Sequence, residues 1–317
     1  MRTLTALLLI AGVVLSCARV LALPDDARVP VLTYHSWEAR YDEATGRCDI
    51  ESEALARDLE VIYSEGYTVI PAYWLVEWVR GWRDGSTLPD RAVVITLDDG
   101  HDLDFLDNAL PWHPCAPLRS MRAVLEEAAE WDWGGPKGMP VPHATTFVIG
   151  SAEARRHIDG EHMNHNWWPS AAAHPLLEVQ NHSLDHDHNS IPDGAYDEYL
   201  GVDLTAGGGK GQMTSLRIDT AEENALYVDL AASYIWHKTA AGPDLFAYPF
   251  GPASEYSRTE YFPGQRDTVG AFCGSGGYVT RDSDPYCLPR FVHRSSPQYG
   301  GWRDAAELKE ILRAASQ

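Results

Sequence analysis

The chain is predicted to be an α/β protein whose parallel sheet closes as a (β/α) barrel. Three observations predict this. Short apolar runs alternate with longer segments of helical period. Seven or eight such units fit between residue 29 and the C-terminus of the 317-residue chain. Polar clusters fall where the apolar runs end, which is where a parallel barrel gathers its site.

The elements follow in order. VPVLTYHS (29–36) is strand-like. ESEALARDLEVIYSEGY places Leu55, Leu59 and Ile62 on one face, with Gly66 as the stop, and reads as a helix. YTVI is a short strand, AYWLVEWVRGW a helix, and RAVVITLDDG (91–100) a buried strand ending in acids. LRSMRAVLEEAAEW is a helix and WGGPKGMPVPH a loop. ATTFVIG and PLLEVQNHS are strands. DTAEENALYVDLAASYIWHKTAAGP is a helix opened by an Asp219-x-x-Glu222 capping box and stopped by Gly242-Pro243. LFAYPFG, VGAFCGSGGYV and LPRFVHR are strands, and DAAELKEILRAA is a closing helix. GAYDEYLGVDLTAGGGKGQMTS is expected to be a Gly-rich mobile insert. Its GGGKGQ is not a phosphate loop, because no Ser or Thr follows the lysine and no strand feeds it.

Residues 1–22 carry Arg2, an apolar run from Leu7 to Leu15, and small residues up to Ala22. They read as a cleaved secretory signal peptide, since the run is too short to span a bilayer. Lipoprotein anchoring through Cys17 is the weaker alternative, because a bulky leucine precedes Ser16. The domain assignment is a single catalytic domain over 23–317, and no later segment is apolar enough to be transmembrane. Location is therefore expected to be secreted or periplasmic.

The formal net charge is −21. Such a surface repels nucleic acid and anionic lipid and suits a neutral or cationic substrate. Four cysteines lie beyond the leader. An even count in an oxidising compartment suggests two disulfides. Cys273 with Cys287 closes a short loop and is preferred, leaving Cys48 with Cys115. No CxxC is present, which argues against a cysteine zinc site.

NHSLDHDH (181–188) holds three histidines and two aspartates. His182 and His186 are four apart, so on a helical turn both imidazoles would face one ion. An aspartate from a neighbouring strand end would complete a two-His, one-carboxylate set with positions open for water and substrate. Asp98 and Asp99 supply such a strand end. Side chains alternate there, so one can meet metal while the other faces substrate. Without a cation, crowding both in one site would be costly.

TLDDG (96–100), HSLDH (182–186) and FAYPFG (246–251) resemble, in order and spacing, the TFDDG, H-[ST]-x-x-H and R-x-P-Y-G motifs of the polysaccharide deacetylases, carbohydrate esterase family 4. The opening VPVLTYHS and the late LPRFVHR are similar to the secreted poly-N-acetylglucosamine deacetylase branch. The resemblance spans roughly residues 29 to 295. It implies a distorted (β/α) barrel of about seven parallel strands. It also implies a catalytic base at Asp98 and metal ligands at Asp99, His182 and His186. The backbone N–H of Phe250 would hold the oxyanion, with Tyr248 beside it on the substrate side. One divalent ion is implied, Zn2+ first, with Co2+ or Ni2+ as alternatives.

The sequence departs from the family at several points. The motif-three arginine falls at Ala247 and its tyrosine at Phe250. Arg290 could supply the guanidinium that pins Asp98. The late Leu-x-His motif, source of the general acid, is not evident. His293 is the nearest candidate, and His35 and His101 are the others. Asp185 or Asp187 could accept a ligand imidazole's other N–H and Asn181 could brace the loop, but these three are expected to be simply solvated, and His188 to be a bystander to the ion. Trp74, Trp78 and Trp82 read as a core-facing stripe. Trp167 and Trp168 divide between sugar contact and packing.

The expected function is removal of N-acetyl groups from a polysaccharide. The alternatives are O-acetyl ester or cyclic amide hydrolysis on the same barrel, or a non-catalytic glycan-binding protein. The expected partner is an N-acetylated polysaccharide, with no nucleic acid.

Overall fold

The computed structural model describes residues 22–133, 141–204, 216, 218–265, 267–295 and 300–317. The predicted signal peptide, the centre of the 133–143 loop and the GGGKGQ segment lie wholly or almost wholly outside these residues.

Seven parallel strands form the barrel. They are β1 (Val29–Tyr34), β2 (Ala92–Leu97), β3 (Ala144–Val148), β4 (Leu177–Asn181), β5 (Leu245–Ala247), β6 (Gly270–Cys273) and a divided β7 (Leu288–Pro289 and Phe291–Val292). Each pairs in parallel with the next. The first half of β7 pairs with β6 at Phe272–Leu288, and the second pairs with β1 at Leu32–Phe291. The last strand therefore changes partner at Arg290 and closes the ring.

Alternation along the strands sorts the side chains. Val31 and Val94 face an inner core with Phe147, Ala247, Phe272 and Leu288. Leu32, Tyr34, Val93, Ile95 and Leu97 face outward against the helices Glu51–Ser64, Met121–Ala128 and Ala305–Ala315. The helix Ala72–Val79 plugs the amino end of the ring through Leu75, Val76 and Trp78. Trp78 is fully buried, but Trp82 lies beyond the helix and is exposed, so the tryptophan stripe is only partly core.

Several boundaries differ from expectation. The capping box uses Thr220 and Glu223, one residue later than predicted, because the threonine hydroxyl accepts from Glu223 N while Glu223 turns back on the Thr220 N–H. That helix also runs through a π segment at Ala225–Asp229. VGAFCGSGGYV is two strands, β6 and Tyr278–Val279, since the glycines let the chain turn back antiparallel on β1. The 194–204 part of the supposed mobile insert forms a small hairpin, Tyr196–Asp197 with Val202–Asp203.

A second hairpin, Ala39–Asp42 with Arg47–Ile50, was not legible in the sequence. Cys48 on it is bonded to Cys115, and Cys273 is bonded to Cys287. Among the described residues, no helix is long and apolar enough to cross a membrane.

Candidate active site

The inward alternation that buries Val31 and Val94 continues to the carboxyl end of the ring. There it delivers Thr33 and His35 from β1, and Thr96 and Asp98 from β2. The Thr33 and Thr96 hydroxyls share a hydrogen bond of 2.9 Å and form a polar floor. Above it lies a cavity of about 490 Å3, lined among others by His35, Trp37, Asp98, Asp99, His182 and His186. That volume falls within the roughly 300–1,000 Å3 of small-ligand sites.

Asp99 and Gly100 both have φ of +77°. A Cβ at residue 100 would come within 2.7 Å of Val148 Cγ1, so only glycine fits against β3. This bend after β2 lets two adjacent aspartates face one cavity.

Asp98 is buried and held by a two-pronged pair with Arg290, at 2.7 Å from Nη1 and 2.8 Å from Nη2. Arg290 Nη1 also lies 3.3 Å from Thr96 Oγ1. The break in β7 places this guanidinium inside the ring. Burial alone would raise the Asp98 pKa, but Arg290 and His182 outweigh it and hold the carboxyl at about 2.

Asp99 Oδ1 lies 3.6 Å from His182 Nε2 and 3.5 Å from His186 Nε2. Among the described residues, these three side chains form the group able to hold a metal, with one ligand atom each, all within 4.8 Å of one another. The His182 Nδ1 atom is 2.9 Å from the Ala247 carbonyl, which fixes the proton there and leaves Nε2 a bare acceptor. Burial lowers the His182 pKa, and burial pushes His186 down to about 3, so both rings are neutral as ligands must be. The spacings also suit zinc. Tetrahedral bonds of about 2.0–2.2 Å set ligand atoms about 3.4 Å apart. The donor set therefore fits a divalent ion.

The histidine loop is not the helical turn that its spacing suggested. Ser183, His186 and Asp187 all have positive φ, and the rings meet at 4.9 Å because the chain coils back. Asn181 braces it, accepting from Ser183 N at 2.9 Å and donating to Val228 O at 2.9 Å. Ser183 Oγ accepts from His186 N. Asp185 is fully buried rather than solvated. His188 lines the cavity outside the three-residue cluster, and its Nδ1 accepts from Ser190 N.

Tyr248, Pro249, Phe250 and Gly251 form a turn closed by Gly251 N donating to Tyr248 O at 3.0 Å. Phe250 occupies the third position with φ of +62°, the geometry of a type II turn after proline. Tyr248 and Phe250 line the cavity, and the Phe250 ring sits 4.5 Å from that of His186. Tyr248 is buried and donates its hydroxyl to Tyr286 O.

Seven of the eight sequence-predicted site residues line this cavity; His293 does not. Its ring packs against Tyr34 and Trp302 on the outer side of β1, with Nδ1 2.7 Å from buried Glu51. Strand alternation explains this, since Arg290 turns inward and His293 follows beyond the break. His101 lines the cavity but is engaged, accepting from Leu103 N and lying 3.3 Å from Asp159 Oδ2. His35 lines the cavity. Burial alone would lower its pKa, but Asp99 and Asp98 more than offset this and raise it. Trp167 and Trp168 are buried, at 2% and 0% exposure, which excludes the sugar-contact reading. Trp37, not singled out in the sequence, lines the cavity and donates its indole N–H to Asp99 Oδ2 at 3.1 Å.

A seven-stranded parallel barrel with an Asp-His-His cluster at its carboxyl mouth defines the class. Among solved structures, the chain shares its fold with polysaccharide deacetylases. A Streptococcus pyogenes deacetylase, PplD, in complex with acetate, is 14% identical; the match covers 86% of this chain and 96% of that one, with a TM-score of 0.57. IcaB from Ammonifex degensii is 16% identical over 94% of this chain and 100% of its own, with a TM-score of 0.56. A de-N-acetylase from Aggregatibacter actinomycetemcomitans is 13% identical over 85% and 97%, with a TM-score of 0.52. At these identities the likeness is one of fold. No family model matches the chain, and no curated protein matches it.

Proposed function

We propose that this chain is a secreted, metal-dependent hydrolase that removes N-acetyl groups from a polysaccharide, releasing acetate and a free amine. The observation that carries the reading is the convergence of Asp99, His182 and His186 beside an arginine-held aspartate in one cavity. Solved structures with this fold, which include a deacetylase in complex with acetate and a de-N-acetylase, support it. Residues 1–22 are the export signal in this reading.

A divalent ion, Zn2+ first, held by Asp99, His182 and His186 would polarise the acetyl carbonyl and acidify water. Asp98 accepts the proton of the attacking water at the carboxylate that Arg290 keeps ionised and aimed. The Phe250 N–H donates to the oxyanion that develops as water adds to the acetyl carbon. His35 donates a proton to the departing nitrogen. It lines the cavity outside the metal cluster and projects from the inward face of β1, whereas His101 is engaged by Leu103 N and Asp159.

Purified protein should be stripped with chelator, reloaded with Zn2+ or Co2+, and incubated with N-acetylglucosamine oligomers while acetate is measured. Acetate release that vanishes on stripping and returns on reloading is expected. No acetate from the loaded protein on N-acetylated glycans would overturn the reading, and a panel of O-acetyl and cyclic amide substrates then decides between the other hydrolase chemistries.

A further inference from the structure

We propose that Trp37 is a positioning residue that orients the Asp99 carboxylate and holds it to one-oxygen binding of the metal. The proposal rests on the metal-centre reading above and concerns a residue outside the ligand set.

A carboxylate has two oxygens with two lone pairs each, and either can bind an ion. Here the two are differentiated. Oδ1 faces both imidazoles, at 3.5 and 3.6 Å from their Nε2 atoms. Oδ2 accepts the indole N–H of Trp37 at 3.1 Å. The two oxygens are chemically equivalent, so what the indole fixes is the plane of the carboxylate: turning that plane would break the bond. A chelating carboxylate, with both oxygens on the ion, would break it as well. The indole therefore holds Asp99 to one-oxygen binding and leaves a further coordination position for water or substrate.

Trp37 is built to hold this place. It follows His35 by two residues beyond β1, in a turn where Glu38 N donates to His35 O and Ala39 N to Trp37 O. The chain then enters the Ala39–Asp42 hairpin, which the Cys48–Cys115 bond ties to the 105–120 loop. Trp37 is 48% exposed, so its contact with Asp99 is not core packing. An exposed indole hydrogen-bonded to a metal-facing carboxylate resembles the way imidazole ligands are oriented by their outer partners.

Trp37→Phe keeps an aromatic ring at the rim and deletes only the N–H. Zn2+ affinity is measured by chelator competition and site geometry by the visible spectrum of the Co2+-loaded protein. Trp112→Phe is the control: this tryptophan is 67% exposed, packs beside His113 and His162, and is outside the cavity lining. Trp37→Phe is expected to weaken Zn2+ binding roughly 10-fold or more, at the lower end of losses seen for outer partners, and to change the Co2+ bands. Trp112→Phe should do neither. If Trp37→Phe binds Zn2+ as tightly as the unmodified protein with unchanged Co2+ bands, the proposal is overturned while the metal centre stands. Equal weakening in both variants also overturns it, since the effect would then follow the loss of any exposed tryptophan. If the unmodified protein binds no Zn2+, the metal-centre reading itself falls.

Discussion

The two halves of the barrel mouth are built differently. On one side, β2 and β4 are regular strands of six and five residues, and they end in Asp98, Asp99 and the histidine loop. On the other side, β5 has three residues and β7 is divided into two pairs around Arg290. The regular half carries motifs that match the deacetylase pattern closely. The irregular half has Ala247 and Phe250 where that pattern has arginine and tyrosine. Yet the guanidinium is present, delivered to Asp98 from β7. A long side chain can reach one carboxylate from several strands, whereas three ligands on one ion tolerate little displacement. In the proposed reading, the half that would meet a metal geometry keeps its letters, and the half that would supply a charge and a backbone donor changes them.

The sharpest test of this division is Asp98→Asn. The amide keeps shape and leaves Asp99, His182 and His186 untouched, so Zn2+ binding should persist. Acetate release should fall by roughly 10²–10⁴-fold, the usual contribution of a positioned base. Retained activity with intact metal binding would remove the base from Asp98. Retained glycan affinity with no activity in either protein would favour the binding-protein alternative.

Arg290→Met probes the irregular half. Removing one partner of a buried pair costs about 3–5 kcal/mol, because the other charge is left uncompensated. The sign depends on pH. In the intact protein the folded Asp98 pKa of about 2 lies below the unfolded value of ~3.9. The pair thus adds stability above about pH 4, which is lost as pH falls toward 2. Without Arg290, burial becomes the dominant influence and the folded pKa rises above ~3.9. The variant then loses stability as pH rises. Urea denaturation of the metal-free proteins should show a gap that is already present at pH 4 and widens toward pH 7. The acid limb of the kcat/KM profile should move up by about one unit or more. Equal gaps at both pH values would show that Arg290 is only packing.

The same division separates what the sequence disclosed from what it did not. The helix Glu51–Ser64 was legible because Leu55, Leu59 and Ile62 repeat at helical spacing, and Asp98 because it continues an apolar alternation. The histidine pair was legible as a pair but not in its geometry. The loop with left-handed Ser183, His186 and Asp187 is held by Asn181 at the end of β4, which is itself anchored to Val228, and by Gly150, and these last two lie on other parts of the chain. The break at Arg290 arises because β7 must pair with β6 and then β1, a ring-closure constraint with no local signature beyond Pro289. His293 was misplaced for the same reason. Trp37 was missed because the hairpin after it, RYDEATGRCDI, is polar on both faces and mostly exposed, so it offers no alternation to read.

The smallest predicted effect is also the most discriminating for the irregular half. If the Phe250 backbone N–H is the oxyanion donor, the side chain can be dispensed with. Phe250→Gly keeps the N–H and suits the φ of +62° that a type II turn demands. Relief of the left-handed cost is about 1–2 kcal/mol. Against it stand the loss of the ring contact with His186, about 0.5–1.5 kcal/mol, and the greater unfolded-state freedom of glycine, about 0.5–1 kcal/mol. These nearly cancel, so the change in unfolding free energy should stay within about 1 kcal/mol. Acetate release should fall less than about tenfold, far below the roughly 10²–10³-fold cost of deleting an oxyanion donor. A loss of that larger size, in a variant that folds and binds Zn2+ normally, would assign the role to the phenyl ring. The replacement of the motif's tyrosine would then be a change of chemistry rather than a tolerated substitution around a backbone group.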